Sequence, residues 1–169
     1  FRGSLRELVR HLNRCVQYGP FREIPVCALL GRWDPALGRL HVLNAGIPYG
    51  LLLRRAAGTA TPMVVNGTPL GIFEEPIVEE RIVWLQGGDR LLFATDGLFD
   101  LHSETHAPFG DLATEIWAGL AGSPVDKALA GLCERARVHA QGNMEDDILA
   151  MAFEQPAPER SGDLTLWLP

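Results

Sequence analysis

Gly87-Gly88-Asp89-Arg90-Leu91-Leu92-Phe93-Ala94-Thr95-Asp96-Gly97-Leu98-Phe99-Asp100 is the stretch on which the reading of the chain turns. A Gly-Gly-Asp turn opens it. A run of mostly large apolar residues follows, the pattern of a strand buried on both faces. It closes on a carboxylate and a glycine, where a strand should stop. An acid at the end of a buried strand is costly unless something positive meets it. A hard divalent cation held by carboxylate oxygens is one physical answer; a plain strand followed by an Asp-Gly turn is the other.

Upstream, Ser4 to Val16 reads as an amphipathic helix, capped by Ser4 with Glu7 as capping-box partner and stopped by Gly19-Pro20. Val26 to Trp33 and Arg39 to Ala45 read as strands joined through Asp34-Pro35-Ala36-Leu37-Gly38 into a hairpin. Leu51 to Leu53 resumes a strand, with breaks at Asn44-Ala45-Gly46 and from Ala56 to Thr61. Asn66 to Gly71 reads as a fixed turn with two glycines available for positive φ. Ile77 to Leu85 alternates as a strand, and Arg90 to Thr95 is expected to close a second hairpin with it.

Downstream, Phe109 to Leu120 carries Leu112, Ile116 and Leu120 at helical spacing. Ser123 is expected to cap the next helix, with Pro124 at its first position, running through Leu129, Leu132, Cys133 and Ala136 towards His139. Gly142-Asn143 is a turn, Glu145-Asp146-Asp147 precedes a strand from Ile148 to Phe153, and Leu164 to Leu168 is read as a last edge strand. Strands, then a helix pair, then a strand is an α+β order.

At 169 residues the chain has the length of one domain, and 47% hydrophobic residues make it globular in composition. A net charge of −6 argues against nucleic acid as the main partner. No apolar run is long enough to span a bilayer. Cys15, Cys27 and Cys133 stand at no metal or redox spacing and are read as reduced thiols, which points to the cytoplasm. His102 and His106 are four apart, but no third ligand stands at zinc spacing with them or with His139. Trp33, Trp84, Trp117 and Trp167 are read as packing residues.

The chemistry lies in a pairing. Asp96 ends one core strand, and Asp146 and Asp147 begin another fifty residues later. If those strands are antiparallel neighbours, the carboxylates meet at one rim of a sheet, where a divalent cation would relieve their repulsion. Asp100, four residues past Asp96, can lean over the same rim. On spacing alone, a metal-binding rim and a sheet edge with solvated acids are equally good accounts. An aspartyl-phosphate mechanism is disfavoured, because no second Asp stands two residues after Asp96.

Leu91 to Leu98 resembles the "LLLYTDG" signature of PPM-type (type 2C) metal-dependent protein phosphatases, in the bacterial SpoIIE and RsbU branch. Leu40 to Gly46 resembles that branch's "LxYxNAGH" strand, Gly67 to Ile72 its "GxPLGI" turn, and Glu145 to Leu149 its closing "DDIT" segment. Arg6 to Asn13 fits the helix that carries "LLxxLN" there.

The resemblance implies a PPM-type αββα sandwich, two antiparallel sheets flanked by helices, here without its N-terminal strands. It assigns residues 1–155 to the C-terminal two-thirds of the family domain and leaves 156–169 as a tail or edge strand. It implies Asp96 and Asp146 as metal ligands and Asp100 as ligand to a weaker third ion, a position where the bacterial branch more often has Glu. The complete domain would hold two Mn²⁺ or Mg²⁺ ions, which activate water for direct attack on a phosphoserine or phosphothreonine. The implied substrate is a phosphorylated bacterial regulator such as an anti-sigma-factor antagonist. The alternative is a catalytically degenerate adaptor that binds a sigma factor or its regulator. A homodimer is left open.

Departures from the family pattern are specific. Its opening Gly-Asp-x-x-Asp and Asp-x-x-Gly-His-Gly stretches do not occur in these residues, and the first of those acids bridges both ions in the family. Ile47 stands where the family has His, and Leu149 where it has Thr.

Overall fold

A computed structural model describes residues 3–20, 22, 24–47, 49–102, 108–141 and 146–157. The elements run α1 (Leu5–Tyr18), β1 (Ala28–Asp34), β2 (Arg39–Ala45), β3 (Tyr49–Arg54), β4 (Thr59–Pro62), β5 (Glu80–Trp84), β6 (Arg90–Ala94), α2 (Asp96–Phe99), α3 (Phe109–Gly119), α4 (Val125–His139) and β7 (Ala150–Glu154). Two antiparallel sheets form, of order β1-β2-β5 and β4-β3-β6-β7.

Side-chain alternation builds four layers. Leu40, Val42 and Val83 of the first sheet meet Leu91 and Phe93 of the second in a core between the sheets. The intervening residues of β6, Leu92 and Ala94, point to the opposite face and pack with Leu98, Phe99, Phe109, Trp117 and Leu132 of the helices. This two-sided burial is why β6 reads as a continuous apolar run. On the far side, Leu5 and Val9 of α1 cover Leu43 and Ala45 of β2. The helix–sheet–sheet–helix sandwich expected from the sequence is therefore present.

The capping box on α1 is formed: Glu7 N–H donates to Ser4 Oγ and Ser4 N–H to Glu7 Oε2. Its buried face includes Asn13, an amide that is 0% exposed. Asn13 Nδ2 donates to the carbonyls of Phe73 and Glu74, and Asn13 Oδ1 accepts from Gly71 N–H. A buried amide is tolerated only when satisfied in this way, and it ties the helix to the loop after β4. In the turn at 66–71 only Gly71 needs positive φ. Gly67 is required for space instead, since a Cβ there would lie 1.9 Å from the Asn44 carbonyl oxygen.

Several expectations need correction. The second hairpin does not form: β5 pairs with β2, while β6 lies in the other sheet between β3 and β7. Residues 85–89 carry the chain across from one sheet to the other. Asp89, 2% exposed, accepts there from the backbone N–H groups of Arg55 and Gln86 and from Arg54 Nη1. Burial alone would raise the Asp89 pKa; those donors outweigh it and hold the carboxyl below its usual range. A tight turn between strands looks alike in sequence whether the strands pair or face each other.

The break expected from Ala56 to Thr61 overlaps β4, whose Thr-Ala-Thr-Pro sequence lacks an apolar run but pairs with β3. Pro124, not Ser123, occupies the N-cap of α4, and the Ser123 carbonyl instead accepts from buried Arg90. The buried stripe of α3 is Phe109, Ala113 and Trp117, whereas Leu112 is exposed. Trp117 is fully buried and Trp33 meets Phe153 edge-on, but Trp84 is 55% exposed beneath Arg39. Trp167, the expected strand from Leu164 to Leu168 and the turn at Gly142-Asn143 lie outside the described residues. No helix among the described residues is long and apolar enough to cross a membrane.

Candidate functional site

The β6 backbone leaves its ladder at Thr95, which is extended, and turns at once into the four-residue α2. Asp96 is thus the first residue of a short helix, one step beyond the strand end expected for it. Leu98 and Phe99 anchor that helix in the core, so its position relative to the sheet is fixed by packing.

The incoming β7 chain is stitched to this corner before its strand begins. Thr95 N–H donates to the Leu149 carbonyl at 3.0 Å. The Thr95 hydroxyl donates to the Asp147 carbonyl at 3.2 Å and accepts from Leu149 N–H at 3.1 Å. Gly97 permits the closest approach: a Cβ there would stand 2.6 Å from the Asp147 carbonyl oxygen and 3.4 Å from Asp146 Cβ. The antiparallel β6–β7 pairing on which the sequence argument depended is present. It brings the Asp96 and Asp146 segments into contact at one rim.

Asp96, Asp100, Asp146 and Asp147 are all exposed. Asp96 Oδ1 accepts from Gly97 N–H at 3.0 Å, and Asp146 Oδ1 from Asp147 N–H at 2.8 Å. Asp100 lies one helical turn after Asp96, its N–H bonded to the Asp96 carbonyl at 2.8 Å. The Tyr49 hydroxyl donates to Asp100 Oδ1 at 3.4 Å. The Asp100 charge foremost, then partial burial, that hydrogen bond and the Asp96 charge raise the Tyr49 pKa, so the phenol stays neutral. Burial, with the Asp96 charge added, likewise raises the Cys27 thiol.

Beside the rim, an apolar cleft of about 450 Å³ opens between β1 and β7, lined by Cys27, Leu29, Ile47, Thr95, Leu149 and Met151. Ile47, in the place of the family's His, is part of that wall. Asn44 fixes the approach to it: buried at 2% exposure, its amide donates to the carbonyls of Ile47 and Val65, and its Oδ1 accepts from Ile47 N–H.

The donor set at the rim is carboxylate and carbonyl oxygen, the chemistry that suits Mg²⁺ or Mn²⁺. Among the described residues no group of three or more His, Cys, Asp or Glu side chains converges into a metal cage. Among the described residues the rim thus fits a divalent ion by donor type and is short of the carboxylates that two ions need. The zinc alternative gains no support: His102 is exposed, the His139 ring packs on Phe109, and His106 lies outside the described residues, as does Glu145. The three cysteines are free.

The sequence singles out the acids as candidates but not Thr95, Gly97, Asn44 and Tyr49, which the structure places around them. The signals were present: a hydroxyl directly before the strand-end acid, a glycine directly after it, and a polar residue inside an apolar strand.

Comparison with protein families matches residues 2–156 to the model for stage II sporulation protein E (SpoIIE). No match is found among curated proteins. Among solved structures, the RsbU and RsbW domains of a Mycobacterium tuberculosis protein superpose with a TM-score of 0.72 at 22% identity, over 93% of this chain and 43% of that one. The manganese-soaked phosphatase domain of SpoIIE from Bacillus subtilis gives 0.69 at 17% identity, over 92% and 68%. The SiaA PP2C domain of Pseudomonas aeruginosa gives 0.73 at 15%, over 88% and 60%. The chain has the PP2C fold and spans less than half the length of the first of these.

Proposed function

Because the chain belongs to the SpoIIE family, we propose that it forms the metal-binding part of a PP2C-type phosphatase that hydrolyses phosphoserine or phosphothreonine on a bacterial signalling protein. The contact of Gly97 with the Asp146–Asp147 segment carries this reading, since it gathers carboxylates from two distant parts of the chain. Asp96 and Asp146 would hold a divalent ion, with Asp100 beside them. Such ions supply water activation and polarisation of phosphoryl oxygens. The chain's own contribution is to fix the two acids: Thr95 laces residues 147–149 to the end of β6, and the core holds α2 in place.

A phosphorylated anti-sigma-factor antagonist is the proposed substrate, resting on the resemblance to the RsbU and SpoIIE branch. The full gene product, incubated with a phosphoserine-bearing antagonist, is expected to release inorganic phosphate with Mn²⁺ or Mg²⁺ and to stop on addition of EDTA. Release that EDTA leaves untouched would overturn the metal reading. Tight binding of the phosphoprotein with no release would favour the adaptor alternative.

A further inference from the structure

We propose that Tyr49 is a positioning residue of this rim, its hydroxyl holding the Asp100 carboxylate over the same strand end as Asp96. The inference rests on the metal reading of the rim. Tyr49 is fixed from three sides. The register of β3 on β6 sets it opposite Ala94, two residues before Asp96. The Asn44 amide clamps both the N–H and the carbonyl of Ile47, so the chain enters β3 from a defined direction. Its ring lies 4.8 Å, centroid to centroid, from that of Phe99, which is 4% exposed and belongs to the same short helix as Asp96. The hydroxyl then reaches Asp100 Oδ1.

An exposed aspartate at the end of a one-turn helix otherwise samples several rotamers, and an ion would have to order it on binding. A neutral phenol orients the carboxylate and leaves its charge in place. An Arg or Lys in that position would orient it as well but would cancel the charge and repel a divalent cation. Among the described residues Tyr49 engages one Asp100 oxygen, which leaves the other for an ion.

Mn²⁺ titration calorimetry on the full gene product, with Tyr49→Phe, Asp100→Asn and the double variant, tests this. Tyr49→Phe is expected to weaken a Mn²⁺ step about three- to tenfold, the range of one hydrogen bond. The double variant should bind no more weakly than Asp100→Asn alone, because Tyr49 acts through Asp100. Terbium gives a spectroscopic check, since tyrosine beside a bound Tb³⁺ sensitises its emission. Residues 1–169 hold two tyrosines, Tyr18 and Tyr49. The tyrosine-excited emission should fall in Tyr49→Phe and persist in Tyr18→Phe.

Wild-type Mn²⁺ affinity in Tyr49→Phe, additive losses in the double variant, or unchanged terbium emission would overturn the proposal. Asp96→Asn separates the two levels. If it abolishes Mn²⁺ binding while Tyr49→Phe changes nothing, the positioning role alone falls. If Asp96→Asn leaves binding intact, the metal reading falls and the role of Tyr49 with it.

Discussion

Asp96→Asn in the full gene product is expected to lower phosphatase activity by about two to three orders of magnitude while the protein remains folded. The substitution keeps the shape of the side chain and its Oδ1 acceptor for Gly97 N–H, so α2 keeps its start. It removes one negative charge and, on the proposed reading, a hard anionic ligand. Transition-state stabilisation by a catalytic metal amounts to several kcal/mol, and each 1.36 kcal/mol is a factor of about ten in rate. Asp96 is exposed and serves no core contact, so its loss should leave the melting temperature nearly unchanged. Phosphate release and circular dichroism on the same samples check both halves. Near wild-type turnover would reject a metal role for Asp96.

Gly97→Ala is expected to cost about ten- to a hundredfold in activity without removing any carboxylate. The added Cβ would stand 2.6 Å from the Asp147 carbonyl oxygen and 3.2 Å from its carbon. Backbone cannot yield as a flexible side-chain tip does, so the Asp146–Asp147 segment must move away from Asp96. A displacement of about 1 Å in a catalytic constellation can cost a hundredfold. Mn²⁺ affinity should fall in parallel, whereas the helical circular dichroism signal should persist, because Leu98 and Phe99 still anchor α2. Unchanged turnover and unchanged Mn²⁺ affinity would show that this contact does not set the spacing of the acids.

Local chemistry made much of this fold legible. Ser4 and Glu7 announced the start of α1, the run Leu91 to Ala94 announced a strand with two buried faces, and the Asp34 to Gly38 turn announced the first hairpin. Partner choice between strands was not legible. β5 and β6 are separated by a turn that would suit a hairpin, yet Val83 and Leu91 meet across the sandwich rather than along a ladder. β4 stayed hidden because an edge strand of Thr, Ala and Pro draws its stability from pairing with β3 and not from an apolar pattern.

The candidate site divides along the same line. Asp96, Asp100 and Asp146 could be picked out by residue type and strand position. The residues that arrange them could not. Thr95 acts through backbone groups on another strand, Gly97 through the side chain it lacks, and Tyr49 through a pairing that only the sheet order reveals.

Counting ligands leads to the most direct test. A pair of divalent ions about 3.5–4 Å apart needs a bridging carboxylate in addition to the flanking ones. On the proposed reading, Asp96 and Asp146, with Asp100 beside them, would serve one ion that keeps several of its waters. Calorimetric titration of residues 1–169 with Mn²⁺ is therefore expected to show at most one weak site, lost in both Asp96→Asn and Asp146→Asn. Joining a segment that carries Gly-Asp-x-x-Asp ahead of residue 1 should add a second site and tighten the first. Two tight sites in residues 1–169 alone, or binding that survives both substitutions, would contradict the assignment of this rim as the metal centre.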